Sequence, residues 1–325
     1  MLSTACRAIA VASAVALPIL AFPTSSLAQP YPNKVIRIIG PAPPGGSVDI
    51  IARLVAPGIQ EALKQNVIVE NKGGGGGYLG TEQLSKAPAD GYTIGIGGAF
   101  STITASLLKN PSYNPRDLVV VAVFASTPNM LVVGPKVKAN SVAELIAEAK
   151  ANPGKFNVGS NGSGTTIHLT AELFKLRTGT QITHIAYRGQ PDAVNALVSG
   201  ETDMMFDNAS IQLNNVRAGK LRALAVAAPE RFRAPPDVPT LAETGVKDAE
   251  VLSWFGIVVP KGTPPEVIAT LDRVFKAMSE KPEFRKAISD QGLEPTYMDA
   301  NKASAFWRSE IDKWVAVIKA ANLQQ

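Results

Sequence analysis

Cysteine is nearly absent from this sequence of 325 residues. A single cysteine, Cys6, excludes an intramolecular disulfide and any metal site built from several thiolates. Histidine is almost as scarce, and His168 and His184 lack a cluster of Cys or Glu partners in the sequence. We therefore expect no bound metal. The chain also lacks a phosphate-binding Gly-x-x-x-x-Gly-Lys-Ser/Thr motif and a Gly-x-Ser-x-Gly nucleophile elbow.

Charge is the second property in short supply. The 32 basic and 27 acidic residues leave a net charge of only +5, and the basic residues are scattered rather than clustered with aromatic residues. Nucleic acid is therefore not an expected partner. A length of 325 residues with 46% hydrophobic content is enough for two packed α/β domains.

The first 28 residues have the pattern of a secretory signal peptide. Arg7 precedes an apolar run over residues 9–22, and the small residues Ser26 and Ala28 resemble a cleavage site. The run is short for a membrane span. We expect cleavage after Ala28, which would remove Cys6 and release a soluble periplasmic protein without a thiol.

A strand, a stiff loop and a helix follow one another near the start of the remaining chain. Residues 34–39 are rich in β-branched side chains, and three prolines and three glycines lie in residues 40–46. Apolar residues then recur at helical spacing, with Ser47 expected as the N-cap. The N–H groups at such a helix start attract anions. A tight turn without a ligand is the alternative.

The same arrangement recurs at residues 156–177, where a short strand leads through the small residues 160–166 into a helix. Strand-like and helix-like segments alternate along the chain, which predicts α/β architecture with mainly parallel strands. Residues 126–128 should separate a strand over 118–124 from one over 130–133. We place the domain crossing there and expect lobe 1 to contain residues 29–127 and 251–325, and lobe 2 residues 128–250. Trp307 and Trp314 should pack in the core.

Two enzyme classes stay open as alternatives. Gly75, Gly77 and Gly80 match a dinucleotide fingerprint, but a run of five glycines makes that match nearly automatic. The following strand also ends in glycine where an acidic ribose ligand is expected. An exported hydrolase acting on a carboxylate compound is the other alternative, although the chain lacks a recognisable nucleophile motif.

Many ordered motifs of this chain resemble the periplasmic substrate-binding proteins of tripartite tricarboxylate transporters, the Bug-type family. The matching segments run through essentially the whole chain after residue 28: residues 36–41, 44–49, 70–72, 88–93, 168–174, 187–189, 205–208, 217–226, 237–240 and 253–256.

This resemblance implies a two-domain Venus-flytrap fold, similar to type II periplasmic binding proteins, with a ligand cleft between the lobes. It implies a monomeric, non-catalytic binding protein without a cofactor. Its expected ligand is a small organic carboxylate, such as a di- or tricarboxylate or an aromatic acid, and its expected partner is a membrane transporter of the tripartite type. The family often has an aromatic residue at the position of Ala42, so the pocket floor of this chain should be more open.

The resemblance and the two helix starts together give a set of expected ligand-binding residues. In the first loop, backbone groups should hold the carboxylate while Asp49 orders the loop, and in the second, hydroxyl and N–H groups should donate. Asp207 should contact a hydroxyl, an amine or a water at the far end of the ligand. The full set is Ala42, Pro43, Gly45, Gly46, Asp49, Ser163, Thr165, Thr166, His168, Tyr187 and Asp207.

Overall fold

The computed structural model describes residues 31–232, 237–320 and 323–324. The expected signal peptide and its cleavage site lie outside these residues. Among the helices of the described residues, none combines the length and the apolar character needed to cross a bilayer.

The strands of the described residues join in one ten-stranded sheet. Their bounds are Ile36–Gly40 (β1), Val67–Asn71 (β2), Thr93–Gly97 (β3), Leu118–Val133 (β4), Asn157–Ser160 (β5), Thr183–Ala186 (β6), Met204–Asn208 (β7), Arg222–Val226 (β8), Leu252–Pro260 (β9) and Glu294–Met298 (β10). The strand order is β2-β1-β3-β9-β4-β7-β5-β6, and β8 and β10 also pair with β4.

Helices connect most of these strands. Their bounds are Ser47–Leu63 (α1), Tyr78–Ser85 (α2), Phe100–Ser106 (α3), Val142–Ala151 (α4), Thr166–Thr178 (α5), Gln190–Ser199 (α6), Ala209–Arg217 (α7), Pro265–Glu280 (α8), Pro282–Asp290 (α9) and Ala300–Ala320 (α10). The alternation of strands and helices confirms the predicted α/β class.

Strand β4 corrects one sequence-based expectation. Residues 118–133 form one continuous strand rather than two strands broken at residues 126–128. Pro128 lacks an N–H, yet the strand tolerates it because its pairing partner changes there. Up to Pro128, β4 pairs with β9, and from Asn129 it pairs with β7. The strand therefore passes from one section of the sheet into the other.

The parallel strands bring their carboxyl ends to common edges. In the first section β1 pairs in parallel with β2 and β3, and in the second β5 pairs in parallel with β6 and β7. The loops after Gly40, Ser160 and Asn208 therefore leave from carboxyl ends. Ligands of open α/β sheets bind at such ends.

Three tryptophans pack in one apolar cluster against the first section. Trp307 and Trp314 of α10 are 3% and 0% exposed, which confirms their expected place in the core. Trp254 of β9 meets Trp307 edge to face, with ring centroids 5.7 Å apart. The indole nitrogens of Trp254 and Trp314 both donate to one carboxylate oxygen of Glu310. This cluster therefore holds α10 against β9.

Replacing Trp314 by alanine should lower the free energy of unfolding by about 3–5 kcal/mol, because the cavity left by a buried indole cannot collapse completely. Its neighbour Val315 is 47% exposed, so Val315→Ala should change the free energy of unfolding by less than about 0.5 kcal/mol. Urea unfolding of both variants measures the difference, and equal losses would show that α10 is not anchored through Trp314.

Candidate functional site

A cavity of about 60 Å³ lies where the two sections of the sheet meet. Small residues, amides and aromatic rings line it: residues 41–43, 46–48, 74, 76, 77, 99, 100, 161, 165–167, 188–190, 208 and 253–255. Among these described residues, Arg188 is the one with a charged side chain. It is exposed, and no ion pair joins it to any described carboxylate. The cavity is therefore walled by dipoles, with one guanidinium at its rim.

Asp49 holds the first loop in shape. Its Oδ2 accepts the N–H of Gly45 at 2.9 Å, and its Oδ1 lies 2.9 Å from Nε of Arg53. Gly45 has φ +85°, a conformation that favours glycine. Burial alone would raise the pKa of Asp49, but the Gly45 N–H and the Arg53 guanidinium outweigh it and lower the pKa below its usual value. Asp49 and Gly45 support the loop from outside the cavity.

Helix α1 begins without a side-chain cap of its own. Gly46 is the N-cap residue, so the expectation that Ser47 caps the helix was wrong. Ser47 is instead the first helical residue. Its N–H donates to Oε1 of Gln190 at 2.9 Å, and its hydroxyl donates to the same oxygen at 3.1 Å. A residue from the start of α6 thus caps α1 across the cleft.

Asp207 orients this bridging amide. Its Oδ1 accepts Nε2–H of Gln190 at 2.5 Å and the N–H of Asn208 at 2.8 Å, and its Oδ2 accepts Nε2–H of Gln212 at 2.5 Å. Complete burial raises the pKa of Asp207 to about 6, although these three hydrogen bonds oppose the shift. Both oxygens are occupied by protein donors, and Asp207 lies behind the cavity rather than in its wall.

The second loop ends in helix α5, whose N-cap is Thr165. The Thr165 hydroxyl accepts the N–H of His168 at 3.2 Å and donates to the carbonyl of Gly162 at 2.9 Å. Thr166 Oγ1 lies 2.7 Å from Oγ of Ser253, whose hydroxyl donates to Oδ1 of Asn129. Thr166 must therefore donate to Ser253. Both threonine hydroxyl hydrogens are therefore used within the protein and are not free to donate to a ligand.

His168 anchors the second loop from behind. Its Nδ1 accepts the N–H of Gly164 at 3.2 Å, and its ring stacks on His184 with centroids 4.0 Å apart. Glu172, one helical turn along α5, lies 3.5 Å from His168 Nε2. The sequence analysis overlooked this carboxylate, which lies close enough to both histidines for the three to surround an ion.

The hydrogen bonds of this cluster do not suit a metal ion. If Nε2 of neutral His168 bound a metal, Nδ1 would carry the ring proton and oppose the Gly164 N–H. The ammonium of Lys175 also lies 2.7 Å from Glu172 and supplies the positive charge there. The cluster is better explained as the support of the second loop.

The glycine-rich loop forms a third wall. Gly74, Gly75, Gly76 and Gly77 all have positive φ. A Cβ on Gly76 would overlap the carbonyl oxygen of Ser163. The glycines therefore allow this loop to touch the second loop. This contact explains the glycine run by packing, and no bound nucleotide is needed to explain it.

The structure brings together five of the expected ligand-binding residues and separates the others from the cavity. Ala42, Pro43, Gly46, Thr165 and Thr166 line the cavity. The remaining expected residues lie outside its lining: Gly45, Asp49, Ser163, His168, Tyr187 and Asp207. The hydroxyl of Tyr187 donates to Glu201 at 2.7 Å.

Several lining residues were missed by the sequence analysis. Asn208 ends β7 next to Asp207, Asn161 directly follows β5, and Gln190 begins the helix after β6. Polar side chains at or after the carboxyl end of each strand, rather than the titratable ones alone, are the signal that would have found them. Ser253 lies at the amino end of β9, so this signal would not have found it.

Comparison with known proteins places this site in a family. The model of the tripartite tricarboxylate transporter family receptor, TctC, matches residues 51–323. The chain belongs to this family. Protein BugT of Bordetella pertussis is 37% identical to this TctC-family chain over 295 residues, which cover 90% of each protein.

Solved structures confirm the predicted fold of periplasmic binding proteins. That of the periplasmic binding protein BugD is 30% identical with a TM-score of 0.85, covering 90% of this chain and 99% of BugD. MatC from Rhodopseudomonas palustris, solved with bound malate, is 25% identical with a TM-score of 0.83, covering 89% of this chain and 100% of MatC. The chain therefore has the α/β fold of these binding proteins. Its candidate site is the cavity where the two sections of the sheet meet.

The titration of His184 provides a test of the support behind the second loop. Burial and the neighbouring His168 lower the pKa of His184 from its usual 6.5 to about 4, against the attraction of Glu172. Between these values the unfolded chain binds more protons than the native one, so the free energy of unfolding should fall as the pH decreases from about 6.5 to 4. After allowance for partial exposure, we expect a loss of about 1–2 kcal/mol from this residue.

His184→Gln is the matched control, since glutamine retains a polar group near Ser160 without titrating. Urea unfolding at pH 7 and pH 4.5 should show the wild type losing more stability than His184→Gln by that amount. An NMR titration of the His184 ring with a midpoint near 6.5 would contradict the expectation.

Proposed function

We propose that this protein is an exported, monomeric solute-binding protein that captures a small organic carboxylate and delivers it to a tripartite membrane transporter. The observation that carries the proposal is the presence of two helix N-termini, those of α1 and α5, in the wall of one cavity. Helix N-termini supply N–H donors and the positive ends of two dipoles, which together suit an anion.

The free donors can be named. The first N–H groups of a helix have no helical carbonyl to accept them. In α1 Gln190 accepts from Ser47, and in α5 Thr165 accepts from His168, which leaves the N–H groups of Val48, Thr166 and Ile167 beside the cavity. Each charge-assisted hydrogen bond from such a group contributes about 1.5–3 kcal/mol.

The class of ligand and the cellular location are supported by the relatives. MatC was solved with malate, a small carboxylate, and BugD is described as periplasmic. Export of this chain would follow from the signal-peptide pattern, with cleavage after Ala28. The transporter partner is proposed from the family, whose receptors belong to tripartite tricarboxylate transporters.

A hydrolase is a poorer explanation of the same residues. Ser160 Oγ lies 2.7 Å from Nε2 of His184, a pairing that would suit a nucleophile and its base. Ser160, however, is completely buried and lies outside the lining of the cavity. A substrate in the cleft could not reach it, so we propose binding without catalysis.

Gly46→Val should weaken carboxylate binding by roughly 100-fold, equivalent to the loss of about one charge-assisted hydrogen bond. A Cβ at Gly46 would lie 3.2 Å from Oε1 of Gln190, so the branched side chain would displace the amide that caps α1. Thr166→Ala removes a hydroxyl that donates to Ser253, and should cost less than about tenfold. Arg188→Ala should also cost less than Gly46→Val, because Arg188 is at the rim.

Calorimetry of these variants follows a thermal-shift screen of the wild type, which uses a panel containing succinate, L-malate, citrate, L-aspartate, benzoate and nicotinate. Loss of binding in Arg188→Ala, with binding intact in Gly46→Val, would mean that a guanidinium salt bridge holds the carboxylate instead of the helix N-termini.

Closure of two lobes around the ligand should make the molecule more compact. We propose lobe 1 as residues 29–127 and 251–325, lobe 2 as residues 128–250, and hinges near residues 126–128 and 229–253. Small-angle X-ray scattering with and without a panel carboxylate that binds should then show a smaller radius of gyration in the complex. An unchanged radius at saturating ligand would contradict closure on binding.

A further inference from the structure

Asn208 occupies an unusual position for an asparagine at a helix start. It ends β7, serves as the N-cap residue of α7 and is only 6% exposed. Asparagine is among the favoured N-cap residues because its side chain accepts N–H groups of the helix that follows. Asn208 does not make such a bond. Its side chain instead lies in the cavity wall and donates Nδ2–H to Oγ of Ser47 at 2.9 Å.

The orientation of the Asn208 amide follows from its neighbours. The N–H of Ser47 can only donate, so the atom of Gln190 that faces it must be the carbonyl oxygen Oε1. The single hydroxyl hydrogen of Ser47 is directed to the same oxygen. Oγ of Ser47 then accepts Nδ2–H of Asn208. In the opposite amide orientation, Ser47 would have to turn its hydroxyl from Gln190 to Oδ1 of Asn208.

Oδ1 of Asn208 is consequently an acceptor on a residue that lines the cavity. This oxygen is buried and has no hydrogen-bond partner among the described residues. An unsatisfied buried acceptor is costly, and the oxygens of an ionised carboxylate cannot satisfy it because they too only accept. Asp207, expected from the sequence to contact a hydroxyl or an amine, is occupied by three protein donors. Its neighbour Asn208 offers such an acceptor, as does the lining residue Asn161, whose Oδ1 also has no partner among the described residues.

We propose that Asn208 selects ligands that carry a hydroxyl or ammonium donor close to the bound carboxylate, that is, hydroxy acids or amino acids rather than plain carboxylic acids. The donor must be close because Asn208 contacts Ser47, the residue before Val48, whose N–H is one of the carboxylate donors. This inference rests on the proposed function. It adds a ligand class to that function and assigns Asn208 as the residue that discriminates.

Matched ligand pairs that differ in one substituent test the inference. Calorimetry at one pH and ionic strength compares L-malate and L-aspartate with succinate, and L-mandelate and L-phenylglycine with phenylacetate. In at least one of the two series, we expect the hydroxylated or aminated member to bind at least tenfold more tightly than the plain acid. The malate and aspartate arms distinguish a neutral donor from a charged one.

Asn208→Ala removes the acceptor. In the series that shows a preference, the hydroxylated or aminated acid should then bind less than about threefold more tightly than the plain acid. Asn214→Ala is the matched control, because Asn214 lies on the exposed side of α7, and it should retain the wild-type preference. Circular dichroism melting shows whether both variants fold. If Asn208→Ala does not fold, the affinities of the wild type for the paired ligands still test the inference.

The outcomes separate the inference from the proposed function. Equal affinities for both members of every pair that binds would overturn the role of Asn208 and leave carboxylate binding intact. A preference that persists in folded Asn208→Ala would likewise overturn it. Failure of every panel and paired acid to bind would overturn the proposed function and the inference together.

Discussion

A buried carboxylate determines the direction of the hydrogen bonds in the cleft. Because the oxygens of Asp207 only accept, the amides of Gln190 and Gln212 both present N–H groups to it. Gln190 must then direct its carbonyl oxygen to the start of α1, where Gly46 offers no side chain to cap the helix. Ser47 donates its N–H and its hydroxyl to this oxygen, and Asn208 donates Nδ2–H to Oγ of Ser47. The same chain of bonds joins the two sections of the sheet.

A cavity walled by oriented dipoles suits a receptor that must also release its ligand. Backbone N–H groups at helix starts are already in position and lose little solvation when an anion arrives. A fully buried ion pair would instead require two charges to leave water. Among the described lining residues, Arg188 is the one with a charged side chain and it is exposed at the rim, so under the proposed function the affinity depends on how closely the loops approach. The glycines of residues 74–77 and Gly189, where a Cβ would overlap Pro43, permit that approach.

Local patterns in the sequence predicted the parts of the site that depend on neighbouring residues. The β-branched run before Gly40, the proline- and glycine-rich loop and the helix that follows were recognisable because each depends on backbone preferences within a few positions. The same holds for the second loop, which leads into α5. The continuity of β4 was not predictable in this way. The strand tolerates Pro128 because β4 changes its pairing partner there from β9 to β7, and both partners come later in the chain.

The sequence by itself therefore determined the α/β class, the two loops that begin helices and, through its ordered motifs, the family. The tertiary structure decided which polar residues line the cavity. Asp207 and Asn208 are adjacent in the chain, and composition and periodicity do not distinguish them. Packing turned the carboxylate inward to three donors and left the amide oxygen of Asn208 unpaired at the cavity. Asp207 is bonded to Gln190 and Asn208 to Ser47, and both of these partners lie on other segments of the chain, so only the folded chain could assign the two residues their roles.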